Sequence, residues 1–140
     1  MMSSKLESDI ILNFTVIQSK INRSVDGALV VHGISFTEFQ VMRRLYNSTD
    51  MTMKRIHLAE NVGLTASGVT RLLAPMEKRG LVKKQANSRD ARVSLVKLTG
   101  AGKKLFIDAE KTVDKSSEVI LSSTKPAQKT KLLELLVQIA

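Results

Sequence analysis

The stretch Ile56–Leu72 constrains the fold more than any other part of this 140-residue chain. Ala59 is small where two helices would have to cross closely, and Gly63 tolerates the positive φ of a tight turn. Thr65 can then cap a second helix, whose Val69 returns to the core. This spacing predicts a helix–turn–helix, although an ordinary helical hairpin would show much of the same pattern.

Positive charge is concentrated in the same part of the chain. The sequence has 22 lysine and arginine residues against 13 acidic residues, a net charge of +9. Segment 54–104 holds twelve of the basic residues and three of the acidic ones, so the flanking segments are together neutral. A basic stretch can be no more than a solvated face, but segregation of this kind in a folded segment favours a polyanionic partner.

The segments before the helix–turn–helix are predicted to be helical. Apolar residues within Ile10–Val25 recur every three or four positions, which is the spacing of one helix face. Ser35 and Glu38 form a capping box for a second helix. Thr52 is predicted to cap a third helix that ends near Val62.

After the helix–turn–helix, a β-hairpin and two more helices are predicted. Short stretches at Leu81–Gln85 and Arg92–Leu98 contain valine and leucine among charged residues, on either side of a polar loop at 86–91. Thr99 would cap a long helix, and Thr124, with a proline in the following turn, would start a leucine-rich one. That last helix could be a core helix or a dimer face, and its position at a chain end favours the dimer face.

The second helix of the helix–turn–helix has an apolar face and a polar face. The predicted buried positions are Val69, Leu72, Leu73 and Met76. The opposite positions are Ser67, Thr70, Arg71, Ala74 and Lys78. Arg71 could bond guanine in a major groove or hold a phosphate, whereas Ser67 and Thr70 could equally solvate the helix start. Gly68 weakens the first turn, and Pro75 predicts a kink near residues 71–75.

The loop Asn87–Arg92 lies at the tip of the predicted hairpin. An arginine such as Arg89 on a thin ribbon can enter a narrow minor groove, where negative potential is concentrated. Asp90 would repel phosphate by itself, so we expect it to pair with a nearby arginine and fix its direction. The alternative is a solvated surface turn.

In order and spacing, these motifs resemble the MarR (multiple antibiotic resistance regulator) family over about residues 35–105. The matching stretches are Leu58-Ala59, Thr65–Leu73, Lys78–Val82, Arg89–Arg92 and Leu98–Gly102. The resemblance implies a mainly α fold with a small β-hairpin wing, in which N- and C-terminal helices intertwine to form a homodimer. It also implies a small phenolic or carboxylate effector, which many members bind between the dimer helices and the DNA-binding lobe.

The resemblance places the recognition-helix contacts on Ser67, Thr70 and Arg71, and the wing arginines on Arg89 and Arg92. Asp90 would be the acid that orients them. Other basic residues of segment 54–104, here called the charged module, complete the expected DNA-binding set. That set is Lys54, Arg55, Ser67, Thr70, Arg71, Lys78, Arg89, Asp90 and Arg92.

Several other kinds of protein are excluded or disfavoured. The chain has no cysteine, which excludes disulfides, thiolate metal sites and thiol-based oxidant sensing. His32 and His57 lie far apart without a carboxylate cluster, so no metal site is expected. No cofactor motif or catalytic constellation is recognisable, and an enzyme is not expected. The sequence shows neither a secretory signal nor a membrane span, so a cytoplasmic protein is expected.

We therefore predict a single domain over residues 1–140. Residues 1–34 and 105–140 would form dimerisation helices, and residues 35–104 a winged helix–turn–helix lobe. The predicted function is that of a ligand-responsive repressor that binds a palindromic operator in double-stranded DNA, with a small aromatic or aliphatic carboxylate as effector. The alternatives are a winged-helix module for an acidic protein partner and a non-specific nucleic-acid-binding protein.

Overall fold

The computed structural model describes residues 2–140, with side chains from Lys5 onward. Its described residues form a mainly α-helical chain with a small antiparallel sheet. The helices are α1 (Met2–Leu29), α2 (Phe36–Tyr46), α3 (Arg55–Asn61), α4 (Ala66–Lys78), α5 (Gly100–Ile120) and α6 (Pro126–Ile139). The strands are β1 (Thr52–Lys54), β2 (Val82–Ala86) and β3 (Ser94–Leu98). Across the described residues, no helix is both long enough and apolar enough to cross a membrane.

The chain divides into two units. One consists of Met1–Ala28 and Thr112–Ala140, and the other of Leu29–Lys111. The second unit contains α2, α3, α4, the sheet and the first half of α5, and it holds nearly all of the buried apolar side chains. The charged module of the sequence lies entirely within this second unit.

An aromatic cluster lies in the core of the Leu29–Lys111 unit. Phe106 of α5 is fully buried, and its ring centroid is 5.2 Å from that of Phe39 and 4.9 Å from that of Tyr46. Both partners belong to α2, so the cluster fixes α2 against the start of α5. Aromatic pairs at this separation contribute about 0.5–1.5 kcal/mol beyond the area they bury.

The sheet has the order β1-β3-β2, with β3 in the centre. β2 and β3 pair from Val82 opposite Leu98 to Ala86 opposite Ser94, which confirms the predicted hairpin with small shifts at its ends.

β1 was not predicted from the sequence. Thr52, expected to cap a helix, is instead extended and pairs with Lys97 of β3. Its hydroxyl donates to the carbonyl oxygen of Asp50, and the N-cap position of α3 is Lys54.

The predicted capping box of α2 is confirmed. The amide of Ser35 donates to Glu38 Oε1 at 2.8 Å, and the amide of Glu38 donates to Ser35 Oγ at 3.1 Å. The predicted start of the last helix is wrong by one residue. Thr124 donates backwards to the carbonyl oxygen of Leu121, and the N-cap is Lys125.

Candidate nucleic-acid interface

The turn between α3 and α4 has the geometry that the sequence predicts. Gly63 has φ +70°, and the amide of Leu64 donates to the carbonyl oxygen of Ala59 at 2.9 Å. Thr65 caps α4, because its Oγ1 accepts a hydrogen bond from the amide of Gly68 at 3.0 Å. A buried Ala59 allows the two helices to approach, so the predicted helix–turn–helix is confirmed.

Helix α4 buries one face and exposes the other. Val69, Leu73 and Met76 are buried as predicted, whereas Leu72 is only half-buried. The exposed positions are Ser67, Thr70, Arg71, Ala74 and Lys78. Arg71 makes no hydrogen bond or ion pair with any described residue, so its guanidinium is available to a partner.

Pro75 lies on the exposed side of α4 and does not interrupt the helix. The kink expected near residues 71–75 therefore does not divide α4, which runs as one helix to Lys78. Proline removes only the hydrogen bond to the carbonyl of residue 71, and an exposed carbonyl can bond to water instead. The amide of Arg79 closes the helix by donating to the carbonyl oxygen of Pro75 at 3.0 Å.

The Arg55 side chain contacts Thr70 and Glu77 of α4 rather than extending into solvent. Arg55 Nη2 donates to Thr70 Oγ1 at 3.3 Å, and Arg55 Nη1 is 3.3 Å from Glu77 Oε1. The Arg55 side chain is only 16% exposed. Sequence reasoning counted Arg55 with the surface cations because its partners lie 15 and 22 residues away in the chain.

The wing loop orients one arginine through Asp90, as predicted. Asp90 Oδ1 accepts hydrogen bonds from the backbone amide of Arg92 at 3.0 Å and from its Nε at 3.2 Å. The amide bond, and after it the guanidinium, lower the pKa of Asp90 below its ordinary value. The Arg92 side chain nevertheless remains 91% exposed. Arg89 is also exposed, and its amide is held by Asn87 Oδ1 at 2.9 Å.

A groove of about 440 Å³ lies between the wing and helices α3 and α4. It is lined by Lys54, Arg55, Ile56, His57, Ala66, Val69, Thr70, Arg92, Val93 and Ser94. Four of the predicted site residues thus meet at one groove, while Ser67, Arg71 and Lys78 lie on the exposed face of α4. Sequence reasoning did not single out Ile56, His57, Val93 or Ser94 as site residues. Only their adjacency to basic positions could have indicated them.

A helix–turn–helix followed by a β-hairpin whose exposed arginines lie beside it defines a winged helix–turn–helix protein. The family model of the MarR family matches residues 34–94, which is this unit without its last strand and helix. This segment is similar to the MarR family, in agreement with the resemblance of its motifs. Solved structures that are similar to this chain are described as transcriptional regulators.

Solved transcriptional regulators share the fold over almost the whole chain. BldR from Sulfolobus solfataricus superposes with a TM-score of 0.90 at 20% identity, covering 99% of this chain and 97% of that one. A mutant of Escherichia coli MarR, solved in complex with operator DNA, superposes with a TM-score of 0.84 at 19% identity. The covered shares are 94% of this chain and 93% of that one.

A curated relative is similar in sequence. It is an uncharacterized HTH-type transcriptional regulator, YdgJ of Bacillus subtilis, and is 24% identical over 106 residues. The match covers 76% of this chain, but the chain spans only 63% of the relative's length.

Proposed function

We propose that this protein is a sequence-specific transcriptional regulator that binds double-stranded DNA through α4 and the wing. The observation that carries the proposal is the free face of α4, where Arg71 and Ser67 lie exposed near the helix N-terminus. In helix–turn–helix proteins, this part of the recognition helix contacts base edges in the major groove. The wing adds Arg92, which Asp90 orients, and Arg89 at its tip.

Electrostatics support the same proposal. The unit that carries the helix–turn–helix also contains segment 54–104, which holds the whole net charge of +9. Lys54 and Lys78 are exposed within it and would contact phosphates. Neutralised phosphates release counterions, so the affinity should fall steeply with salt concentration. The E. coli relative complexed with operator DNA has the same fold, which supports a common mode of binding.

The proposed regulator acts as a homodimer on a palindromic operator. Large apolar side chains of α1 and α6 are exposed in the single chain, and no residue of α6 is buried. They are Leu6, Ile10, Ile11, Leu12, Val16 and Ile17 of α1, and Leu132, Leu133, Leu135, Leu136, Val137 and Ile139 of α6. An obligate dimer interface buries about 2,000 Å² or more and would cover such faces. Analytical ultracentrifugation at micromolar concentration should show one species of twice 15.4 kDa, and a monomer would contradict the dimer.

The proposed role is that of a ligand-responsive repressor in the cytoplasm. Because the chain contains no cysteine, control must come from a bound ligand, pH or protein level rather than from thiol oxidation. A small aromatic or aliphatic carboxylate is the proposed effector. To change DNA affinity tenfold, it must bind two states of the protein with affinities that differ by about 1.4 kcal/mol. A thermal-shift screen of small organic acids followed by gel shift tests this. Release of DNA by peroxide, with no response to any acid, would contradict it.

A gel-shift competition separates this function from its two rivals. A duplex selected by the protein from a random library should compete at least about 10³-fold better than bulk DNA. Equal competition by bulk DNA would indicate a non-specific nucleic-acid-binding protein. If neither duplex binds, the charged unit would instead be a winged-helix module for an acidic protein.

A further inference from the structure

Arg55 bridges two positions of α4 that lie on one side of that helix. Its two terminal nitrogens reach Thr70 Oγ1 and Glu77 Oε1, each at 3.3 Å. Thr70 and Glu77 are seven residues apart, about two helical turns, so they share a face. The Arg55 and Glu77 side chains are 16% and 25% exposed. Two of the five guanidinium N–H groups of Arg55 are thus used within the protein, and Glu77 compensates its charge, which disfavours a phosphate contact.

The hydroxyl of Thr70 is committed within the protein. A threonine hydroxyl has one hydrogen to donate, and Thr70 donates it to the carbonyl oxygen of Ala66 at 3.0 Å. The same oxygen accepts from Arg55. Thr70 is nevertheless exposed as a residue. The methyl group of the side chain takes part in no hydrogen bond and can make an apolar contact. In a major groove, the apolar group available for such a contact is the C5-methyl of thymine.

We propose that Arg55 is a positioning residue rather than a phosphate ligand, and that the Thr70 it holds reads a thymine through its methyl group. This inference rests on the proposed function, since it concerns how α4 selects its DNA sequence. Arg55 fixes the Thr70 hydroxyl toward α3, and the methyl group is thereby presented in one direction. Arg71, which no hydrogen bond with any described residue restrains, would make the polar contacts of the same helix with base edges.

The direct test compares two substitutions of Thr70 on duplexes with and without thymine methyl groups. Each thymine of the selected half-site is replaced in turn by uracil, which lacks only the C5-methyl. The wild-type protein should lose about fourfold in affinity at one position, the equivalent of one buried methyl group. Thr70→Val has a methyl group at both γ positions, so one of them meets the thymine without the bond from Arg55 and the discrimination should be retained. Thr70→Ser should bind the thymine and uracil duplexes equally.

The opposite pattern would overturn the inference. If Thr70 reads a base with its hydroxyl, Thr70→Ser would behave like wild type and Thr70→Val would lose affinity on every duplex. If no uracil position distinguishes wild type from Thr70→Ser, then Thr70 reads no thymine. Thermal melting of each variant shows whether it is folded at the temperature of the binding assay.

The role of Arg55 is tested by salt dependence and by a conservative substitution. Arg55→Gln should leave the slope of log affinity against log salt unchanged and abolish the thymine-to-uracil discrimination. Loss of a phosphate contact would instead reduce the slope by about 0.9 per contact. Arg55→Lys keeps the charge but not the fork that bridges two acceptors, so it should also lose discrimination. A lysine variant equal to wild type would overturn the positioning role.

A charge-swapped variant distinguishes positioning from general stabilisation. The double substitution Arg55→Glu with Glu77→Arg can restore the ion pair between α3 and α4, but not the bond from residue 55 to the Thr70 hydroxyl. Thermal stability should recover while the thymine discrimination does not, and joint recovery would show a merely structural role. A wild-type protein that enriches no sequence from the random library would overturn the proposed function itself, and this inference with it.

Discussion

Arg79, which ends α4, donates a hydrogen bond from Nη1 to the carbonyl oxygen of Gly33 at 2.6 Å. Gly33 lies between a short 3₁₀ turn, Val30–His32, and the start of α2, with φ +70°. This hydrogen bond links the end of α4 to the segment that leads into α2. Because the acceptor is a backbone atom, its position depends on the conformation of the turn rather than on the side chain of residue 33.

Gly33→Ala should destabilise the protein by about 1–2 kcal/mol, the cost of a left-handed conformation for a residue with a Cβ. The added Cβ would also approach Arg79 Nη2 to 3.2 Å. Gly27→Ala is the matched control, because Gly27 lies within α1 and no atom would meet its Cβ. That control should gain about 0.5–1 kcal/mol from helix propensity. Urea unfolding of both variants measures the difference, and equal effects would contradict the argument.

Gly102→Ala should be more damaging than Gly100→Ala. Gly102 is buried, and a Cβ there would collide with the carbonyl oxygen of Leu81 and the side chain of Leu98. Overpacking of this kind costs about 1–3 kcal/mol and sometimes more. Gly100, in the first turn of the same helix, has nothing within 4 Å of its Cβ position. Calorimetry should give a clearly lower melting temperature only for Gly102→Ala, and two equally stable variants would refute the prediction.

Arg71→Ala should reduce affinity for the selected duplex by about 1–3 kcal/mol and relax the preference at one base pair. The reason is that its free guanidinium can bond guanine O6 and N7 together. Binding titrations on a set of single-base operator variants would measure the change. A uniform loss on all sequences would instead assign Arg71 to a phosphate.

Arg89→Ala should act through the sequence that flanks the recognition site. An exposed arginine at the wing tip favours the narrow minor groove of A/T-rich DNA. The variant should therefore lose affinity mainly for duplexes with A/T-rich flanks and little for G/C-rich ones. The same loss on both kinds of flank, measured by fluorescence anisotropy, would show that Arg89 only contacts phosphate.

The wing loop should depend on pH only under acidic conditions. The Arg92 amide and guanidinium lower the pKa of Asp90 below its ordinary value of 3.8. The carboxylate therefore stabilises the folded loop fully above that ordinary value, and the stabilisation is lost as pH falls through the lowered pKa. In an NMR titration, the Arg92 amide resonance should shift below pH 3.8 and stay constant between neutral and mildly acidic pH. Asp90→Ala should abolish the shift, and persistence of the shift would implicate another group.

Features that depend on neighbouring residues were predictable from sequence, whereas features that depend on distant partners were not. The Ser35–Glu38 box and the Thr65 cap each involve residues three positions apart, so their spacing alone reveals them. β1 is three residues long and exists because Thr52 pairs with Lys97, 45 positions later. A segment of three residues is too short for a pattern of side chains to predict a strand.

The site shows the same division. Asp90 and Arg92 are two residues apart, and their pairing was predictable and is confirmed. Arg55 looked like any other exposed cation because nothing in its own helix shows that Glu77 would neutralise it. The sequence shows that residue 55 is an arginine, but the packing of α3 against α4 determines whether its guanidinium is exposed to solvent.

Strand β1 runs directly into α3 with no loop between them, and this limits how the two can move. Lys54 ends the strand and Arg55 begins the helix, while β3 pairs with β1 on one side and with β2 of the wing on the other. The helix–turn–helix and the wing should therefore move as one rigid body, with a fixed distance between the two surfaces that are proposed to enter DNA grooves. One base pair inserted between the sequences contacted in the two grooves moves them apart by a further rise of about 3.4 Å, which such a body cannot follow. Operator spacing, and not only operator sequence, would then be read by the protein.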